Sequence, residues 1–149
     1  FFENIVIDLC GFSNIEFVAS LLRSADATMV LTPQSVPGIV TAAELIKSLN
    51  DKGIATQTFD LVVTPYHKDV ALDAESIAKK LNIETVHTLP DRRAPLINAV
   101  NGGQVLSAAD SKDPYAKAVA QLLDKVNANR KHMDGQGGLA STFKKWFNK

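Results

Sequence analysis

The aspartate at position 8 is the first residue in the sequence whose type and place suggest chemistry. It ends the short apolar run Asn-Ile-Val-Ile-Asp, which covers residues 4–8. A run this dense in Ile and Val predicts a strand that is buried on both faces of a parallel sheet. A carboxylate at the carboxyl end of such a strand lies where open α/β sheets bind ligands, and there it could orient Mg²⁺ beside a phosphate. The alternative is an aspartate that caps the following turn.

Polar residues also follow three later apolar runs. They are Thr32 and Pro33, then Thr64 and Pro65, and finally Pro90, Asp91 and Arg92. The carboxyl ends of parallel strands share one edge of the sheet, so these residues and Asp8 are expected to line one binding crevice. Because many unrelated α/β proteins have such a crevice, the pattern predicts an architecture and not an activity.

The elements that would position these residues alternate along the chain. Strands are predicted over residues 4–8, 27–31, a run that ends at Val63, and 85–89, and each is followed by a helix. Helix starts are indicated by a Ser13–Glu16 capping box and by Ser35, Asp73 and Asp113. The predicted buried helix faces are Ile39, Ala42, Ile46 and Leu49; Ile77, Ala78 and Leu81; Leu96, Ile97 and Val100; and Ala116, Val119, Ala120, Leu123 and Val126. The predicted fold class is therefore α/β, a doubly wound and mainly parallel sheet with helices on both faces.

Composition narrows the class of protein further. The chain has 149 residues, 46% of them hydrophobic and 21% charged, which suits one globular domain with a sizeable core. No apolar run approaches the ~20 residues that span a bilayer, and Cys10 has no second cysteine with which to form an internal disulfide. The expected location is the cytoplasm. Three histidines, His67, His87 and His132, show no metal-like spacing, and His87 is expected to be structural.

Charge is distributed unevenly between the body and the tail. Residues 1–129 carry 11 basic and 15 acidic side chains, which argues against a nucleic-acid partner. Residues 130–149 carry five basic side chains and one acidic one. We expect a domain over residues 1–129, a flexible linker over 130–138 and a basic amphipathic tail over 139–149. The tail residues expected to contact a membrane surface or a partner are Leu139, Phe143, Lys144, Lys145, Trp146 and Phe147.

Three stretches together resemble a known family. They are Asn4-Ile-Val-Ile-Asp-Leu9, then Met29-Val-Leu-Thr-Pro33 with its following helix, and Thr88-Leu-Pro-Asp91 followed by Ala99-Val-Asn-Gly-Gly103. In this order they resemble the C-terminal part of the MinD/ParA-type P-loop ATPases, closest to the pilus-assembly branch called CpaE or TadZ. The first stretch is similar to that family's Walker B motif. The resemblance covers most of residues 3–126.

The resemblance implies a set of roles and partners. Asp8 would be the acid on the magnesium side, and Thr64, Pro65, Pro90, Asp91 and Arg92 would border the base of ATP. It further implies a nucleotide-dependent homodimer that localises pilus or secretion machinery, at the inner face of the membrane or the cell pole. The tail is placed like the membrane helix of MinD proteins.

The sequence also departs from the family's pattern. The glycine-rich loop with its lysine, which would hold the phosphates, is expected upstream of Phe1. Leu9 is followed by Cys10 where the family has proline, and Thr64-Pro65 stands where it has Asn-Arg. The alternative is thus a degenerate, nucleotide-free scaffold of the same fold. A flavodoxin-like or receiver-like domain is a third reading, and it would need further acids near the first strand.

Overall fold

A computed structural model describes residues 4–134 of the chain, with side chains up to residue 128. Its helices and strands are α1 (Ile15–Leu22), β1 (Met29–Thr32), α2 (Val36–Asp51), β2 (Asp60–Tyr66), α3 (Ala74–Leu81), β3 (Thr85–Pro90), α4 (Arg93–Asn101), α5 (Leu106–Ala109) and α6 (Pro114–Asp134). A 3₁₀ turn, Thr56–Thr58, leads into β2.

The strands form one parallel three-stranded sheet in the order β1-β2-β3. Connections between parallel strands need a crossover, and α2 and α3 provide the two that join β1 to β2 and β2 to β3. The alternation of strands and helices in the sequence correctly predicted an α/β fold with a parallel sheet.

Helices lie on both faces of this sheet. Leu61 and Val63 of β2 belong to the larger hydrophobic core, which includes residues of α1, α2 and α3. Val62, between them, belongs to a smaller core with Leu89 and with Leu122 of α6. Because successive strand residues point to opposite faces, α6 lies on one face of the sheet and α1, α2 and α3 lie on the other.

The face under α6 is covered unevenly. Val30 of β1 points into the larger core, so the next residue, Leu31, points to the α6 side. Leu31 is nevertheless 60% exposed. The α6 face is therefore open at β1, which is also an edge strand of the described sheet.

Several helix signals in the sequence are confirmed. Ser35 caps α2 by accepting a hydrogen bond from the Gly38 N–H, and Asp73 caps α3 by accepting one from the Ser76 N–H. Every residue of the predicted buried faces of α2 and α3 is buried. The cap of α1 is Asn14, which accepts from the Phe17 N–H, and not Ser13 as the capping box predicted.

The predicted buried faces of α4 and α6 are wrong in part. Val100 on α4 is 71% exposed and Ile97 is also exposed, whereas Ala99 is buried. On α6, Leu122 is buried and Leu123 is half exposed. The reason is tertiary: α4 packs mainly against the short α5, while α6 turns Leu122 towards β3.

The predicted first strand, residues 4–8, is not formed. Ile5, Val6 and Ile7 are exposed, and the segment takes no regular secondary structure. An apolar run becomes a strand only where a neighbour pairs with its backbone, and β1 pairs only with β2 in the described residues. The sheet therefore has three described strands and not the four that we predicted.

The carboxyl-terminal region also differs from expectation. α6 continues through Asp134, so residues 130–134, predicted as the start of a linker, are helical. Residues 135–138 and the whole predicted tail lie outside the described residues. Within the part of the chain that the structure describes, none of the helices is both long and apolar enough to cross a bilayer.

Candidate functional site at the carboxyl edge of the sheet

The carboxyl ends of β2 and β3 bring two of the predicted site segments together. Tyr66 pairs with Pro90 in the register between the strands, after an irregularity that begins at Val63. Thr64 and Pro65, which are joined by a cis peptide bond, belong to β2 and not, as predicted, to the loop after it. The predicted neighbours Thr64-Pro65 and Pro90-Asp91 consequently lie side by side at one edge.

Gln34, just after β1, connects the first strand to this edge through side-chain hydrogen bonds. Its side-chain oxygen accepts from the His67 N–H at 2.8 Å, and its amide nitrogen donates to the carbonyls of His67 at 3.1 Å and Leu72 at 2.7 Å. One side chain therefore holds both ends of the loop between β2 and α3. The polar residues after β1 are the one sequence signal for this part of the site, and Gln34 is not among the predicted site residues.

A histidine and an aspartate face each other across the edge. Nε2 of His67 lies 3.6 Å from Oδ2 of Asp91, and both side chains are exposed by a third or more. The other carboxylate oxygen of Asp91 accepts from the Arg93 N–H at 3.0 Å, at the start of α4. The pair leaves a partly solvated imidazole and carboxylate at the edge. Spacing in the sequence did not identify His67, because its partner is on a different strand end.

The guanidinium of Arg92 is bound to a buried carboxylate. Its Nε donates to Oδ2 of Asp113 at 2.9 Å, and one terminal nitrogen forms an ion pair with the same oxygen at 2.7 Å. The Tyr115 N–H donates to Oδ1 at 2.8 Å. The hydrogen bonds from Arg92 hold the pKa of Asp113 below its ordinary value, against the opposing effect of burial. The same contact raises the pKa of Arg92. Arg92 therefore joins the end of β3 to the start of α6, a structural task besides the predicted one.

Asp8 is not part of this edge's strands. Its carboxylate accepts from the Cys10 N–H at 2.9 Å, which is the local capping arrangement that we kept as the alternative. This hydrogen bond lowers the pKa of Asp8, and the neighbouring carboxylate raises the pKa of the Cys10 thiol. The prediction that Asp8 ends a strand of the sheet is wrong, because that strand is not formed.

A second polar feature lies towards the other end of the strands. His87 of β3 and Asp60 of β2 are both buried, with His87 Nε2 and Asp60 Oδ1 2.8 Å apart. A cavity of ≈ 190 Å³ lies beside His87, between α3, β3 and α6, and its lining also includes Glu75 and Lys125. We predicted a structural role for His87, and its buried pairing with Asp60 agrees with that prediction.

The described residues offer little that would hold a metal ion. Among residues 4–128, no group of three or more His, Cys, Asp or Glu side chains is arranged to bind one. The tail residues named above lie outside the described part, so the structure does not test their predicted contacts.

Comparisons with protein-family models, with curated proteins and with solved structures found no match to this chain.

Proposed function

We propose that the carboxyl edge of the sheet forms the base side of a nucleotide site in a CpaE/TadZ-like ATPase. The observation that carries the proposal is the pairing of Tyr66 with Pro90, because it sets Thr64-Pro65 beside Pro90-Asp91. A crevice at the carboxyl ends of parallel strands is where open α/β sheets bind ligands. The aromatic ring, prolines and hydroxyl found there suit a base and ribose better than a polyphosphate.

The phosphate and magnesium part of such a site is not supplied by the described residues. Asp8 lies outside the sheet, the metal-binding groups are not clustered, and the sequence has no glycine-rich loop with a lysine. These residues do not fit Mg²⁺ or a triphosphate, and we assign the binding of both to a segment preceding Phe1. The whole protein would then be a nucleotide-dependent homodimer that localises pilus or secretion machinery, with the tail at a membrane surface or a partner.

The test compares the 149-residue chain with a longer chain that includes residues preceding Phe1. In the shorter chain, adenosine and ATP are expected to shift the backbone NMR signals of Thr64 and Asp91 similarly, with or without Mg²⁺. In the longer chain, Mg-ATP is expected to bind more tightly than adenosine. Thr64→Val should weaken both ligands, whereas the matched change Thr41→Val on α2 should weaken neither. Absence of nucleotide binding by the longer chain with Mg²⁺ would refute the ATPase.

A nucleotide-free scaffold is the second candidate, and a specific observation favours it. The charged side chains Arg92 and Asp91 of the edge already have partners within the chain, since Arg92 is bound to Asp113 and Asp91 accepts from the Arg93 N–H. A scaffold needs no ligand to hold this arrangement. It predicts unchanged NMR spectra with every nucleotide in both chains, and binding of secretion-machinery proteins that is insensitive to ATP.

A further inference from the structure

The cavity beside β3 contains polar groups that the carboxyl edge of the sheet does not use. It has a volume of ≈ 190 Å³ and is lined by the middle of β3, the start of α3 and one side of α6. Because a water molecule occupies about 30 Å³ of the liquid, this space holds about six water-sized groups. The cavity therefore suits a small metabolite and is too small for a nucleotide.

The inner wall of the cavity includes the buried side chain of His87. Leu89, two residues later on β3, packs against Leu122 of α6, so the His87 side chain points to the same face of the sheet. That side chain is 7% exposed, and its Nε2 lies 2.8 Å from the carboxylate of Asp60. An ionised carboxylate only accepts hydrogen bonds, so Nε2 carries the proton of the neutral ring. Nδ1 is then left as a hydrogen-bond acceptor.

The Nδ1 atom of His87 is open to the cavity. Within residues 4–128, the ring has no hydrogen bond besides the one to Asp60. Among the same residues, no side-chain nitrogen or oxygen is both sealed from solvent and without a partner. Nδ1 is therefore accessible, and the space beside the ring is the cavity that His87 lines.

Two opposite charges mark the mouth of the cavity. Glu75 of α3 and Lys125 of α6 are exposed and both line it, and Gln121 adds an amide one turn before Lys125. Neither charged side chain forms an ion pair within the described residues. Opposite charges that line one cavity without pairing to each other suit a ligand that carries both charges itself.

We propose that this cavity binds a small α-amino acid in its zwitterionic form. The ammonium group of the ligand donates to Nδ1 of His87 and to the Glu75 carboxylate. The carboxylate of the ligand accepts from Lys125 and from the Gln121 amide. Val86, in the apolar part of the lining, contacts a short side chain such as a methyl group. The site lies along β3 and not at its carboxyl end, so it is independent of the proposed nucleotide site.

The first test is an NMR titration of the 149-residue chain with L-alanine in the absence of nucleotide. The backbone signals of residues 86–88 are expected to shift and saturate, with a dissociation constant on the order of 1 mM. L-lactate lacks the ammonium group and L-alanine methyl ester lacks the carboxylate, so each should bind at least about tenfold more weakly. Shifts that do not saturate by about 10 mM, or equal binding of the three compounds, would overturn the proposal. Because no nucleotide is present, this failure is distinct from failure of the ATPase.

The second test assigns each charge of the ligand to one side chain. Glu75→Gln and Lys125→Met should each weaken L-alanine at least about tenfold. With Glu75→Gln, L-alanine should lose its advantage over L-lactate, and with Lys125→Met it should lose its advantage over the methyl ester. Glu44→Gln and Lys47→Met are the matched controls, since both positions are exposed on α2 and outside the lining. If the cavity variants bind L-alanine as the control variants do, the proposal is wrong.

The ring nitrogens of His87 provide a third readout that does not require a substitution in the core. In a long-range ¹H–¹⁵N spectrum at neutral pH, Nε2 is expected to carry the proton and Nδ1 to be unprotonated. The Nδ1 resonance should move when L-alanine is added, because the ammonium group donates to this atom. A proton on Nδ1 in the free chain, or an Nδ1 resonance that L-alanine leaves unchanged, would contradict the assigned contact.

Discussion

The side chain of Gln34 offers the sharpest test of how the candidate site is held together. Gln34→Ala removes three hydrogen bonds, to the His67 N–H, the His67 carbonyl and the Leu72 carbonyl. Each such bond contributes about 1 kcal/mol net, so the loss is about 3 kcal/mol before correction. Two of the three are exposed to solvent. Alanine, unlike glutamine, loses no rotamer entropy on folding, which offsets about 1 kcal/mol of the loss. The expected loss of unfolding free energy is therefore about 1–2 kcal/mol.

Urea unfolding measures this loss, and a thermal scan should show a fall of roughly 2–8 °C for a chain of this size. The matched control is Gln57→Ala, in the 3₁₀ turn before β2, where the backbone carbonyl and not the side chain makes the contact with Glu84. Hydrogen exchange adds a local readout, since the His67 amide should exchange faster when its acceptor is removed. If Gln34→Ala and Gln57→Ala change stability equally, the hydrogen bonds of the Gln34 side chain do not stabilise the edge.

Gln34→Glu separates the acceptor from the donor function of this side chain. It keeps an oxygen for the His67 N–H but turns a carboxylate towards the carbonyls of His67 and Leu72. These carbonyls should raise the pKa of the new acid in the folded state. The destabilisation is then expected in full at neutral pH and should shrink as the pH falls through that raised pKa. If the difference in stability between the variant and the original chain is the same at neutral pH and below the raised pKa, the result contradicts this geometry.

Three further outcomes are expected. Leu49→Ala, on the buried face of α2, should lower the unfolding free energy by about 3 kcal/mol. Leu123→Ala, at a half-exposed position, should lower it by under about 1 kcal/mol in the same urea experiment. Hydrogen bonds from Ser76 lower the pKa of Asp73 in the folded state. The stability that they provide is present above the pKa of the unfolded chain and is lost as the pH falls through the lower pKa of the folded chain. Asp73→Asn should therefore flatten the acid side of a curve of unfolding free energy against pH. Removal of residues 139–149 should reduce co-sedimentation with anionic liposomes, and equal binding of both chains would exclude membrane contact by the tail.

Local signals predicted the helices best where one element decides its own limits. Ser35 and Asp73 each cap a helix through an N–H only three residues away, so the sequence contains both partners of the bond. The buried face of α2 was equally predictable, because a long amphipathic helix between two strands has one core to face. The faces of α4 and α6 were not, since their orientation depends on α5 and on β3.

The candidate site depended on contacts that no local pattern contains. Gln34 meets His67 from 33 residues away, and Arg92 meets Asp113 from 21 residues away. Their residue types are common in loops. The pairing of β1 with β2 brings Gln34 to His67, and the packing of α6 against β3 brings Asp113 to Arg92. The sequence did predict that Thr64-Pro65 and Pro90-Asp91 share one edge, because carboxyl ends of parallel strands always do.

The sequence by itself determined the α/β class and the parallel sheet, since both follow from periodicity and chain order. Only the tertiary structure decided that residues 4–8 are not a strand. A strand is completed by hydrogen bonds to a neighbour, and apolar residues cannot supply that neighbour themselves. Asp8 consequently binds the turn beside it, and the polar groups of the edge are held by Gln34 and Asp113 instead.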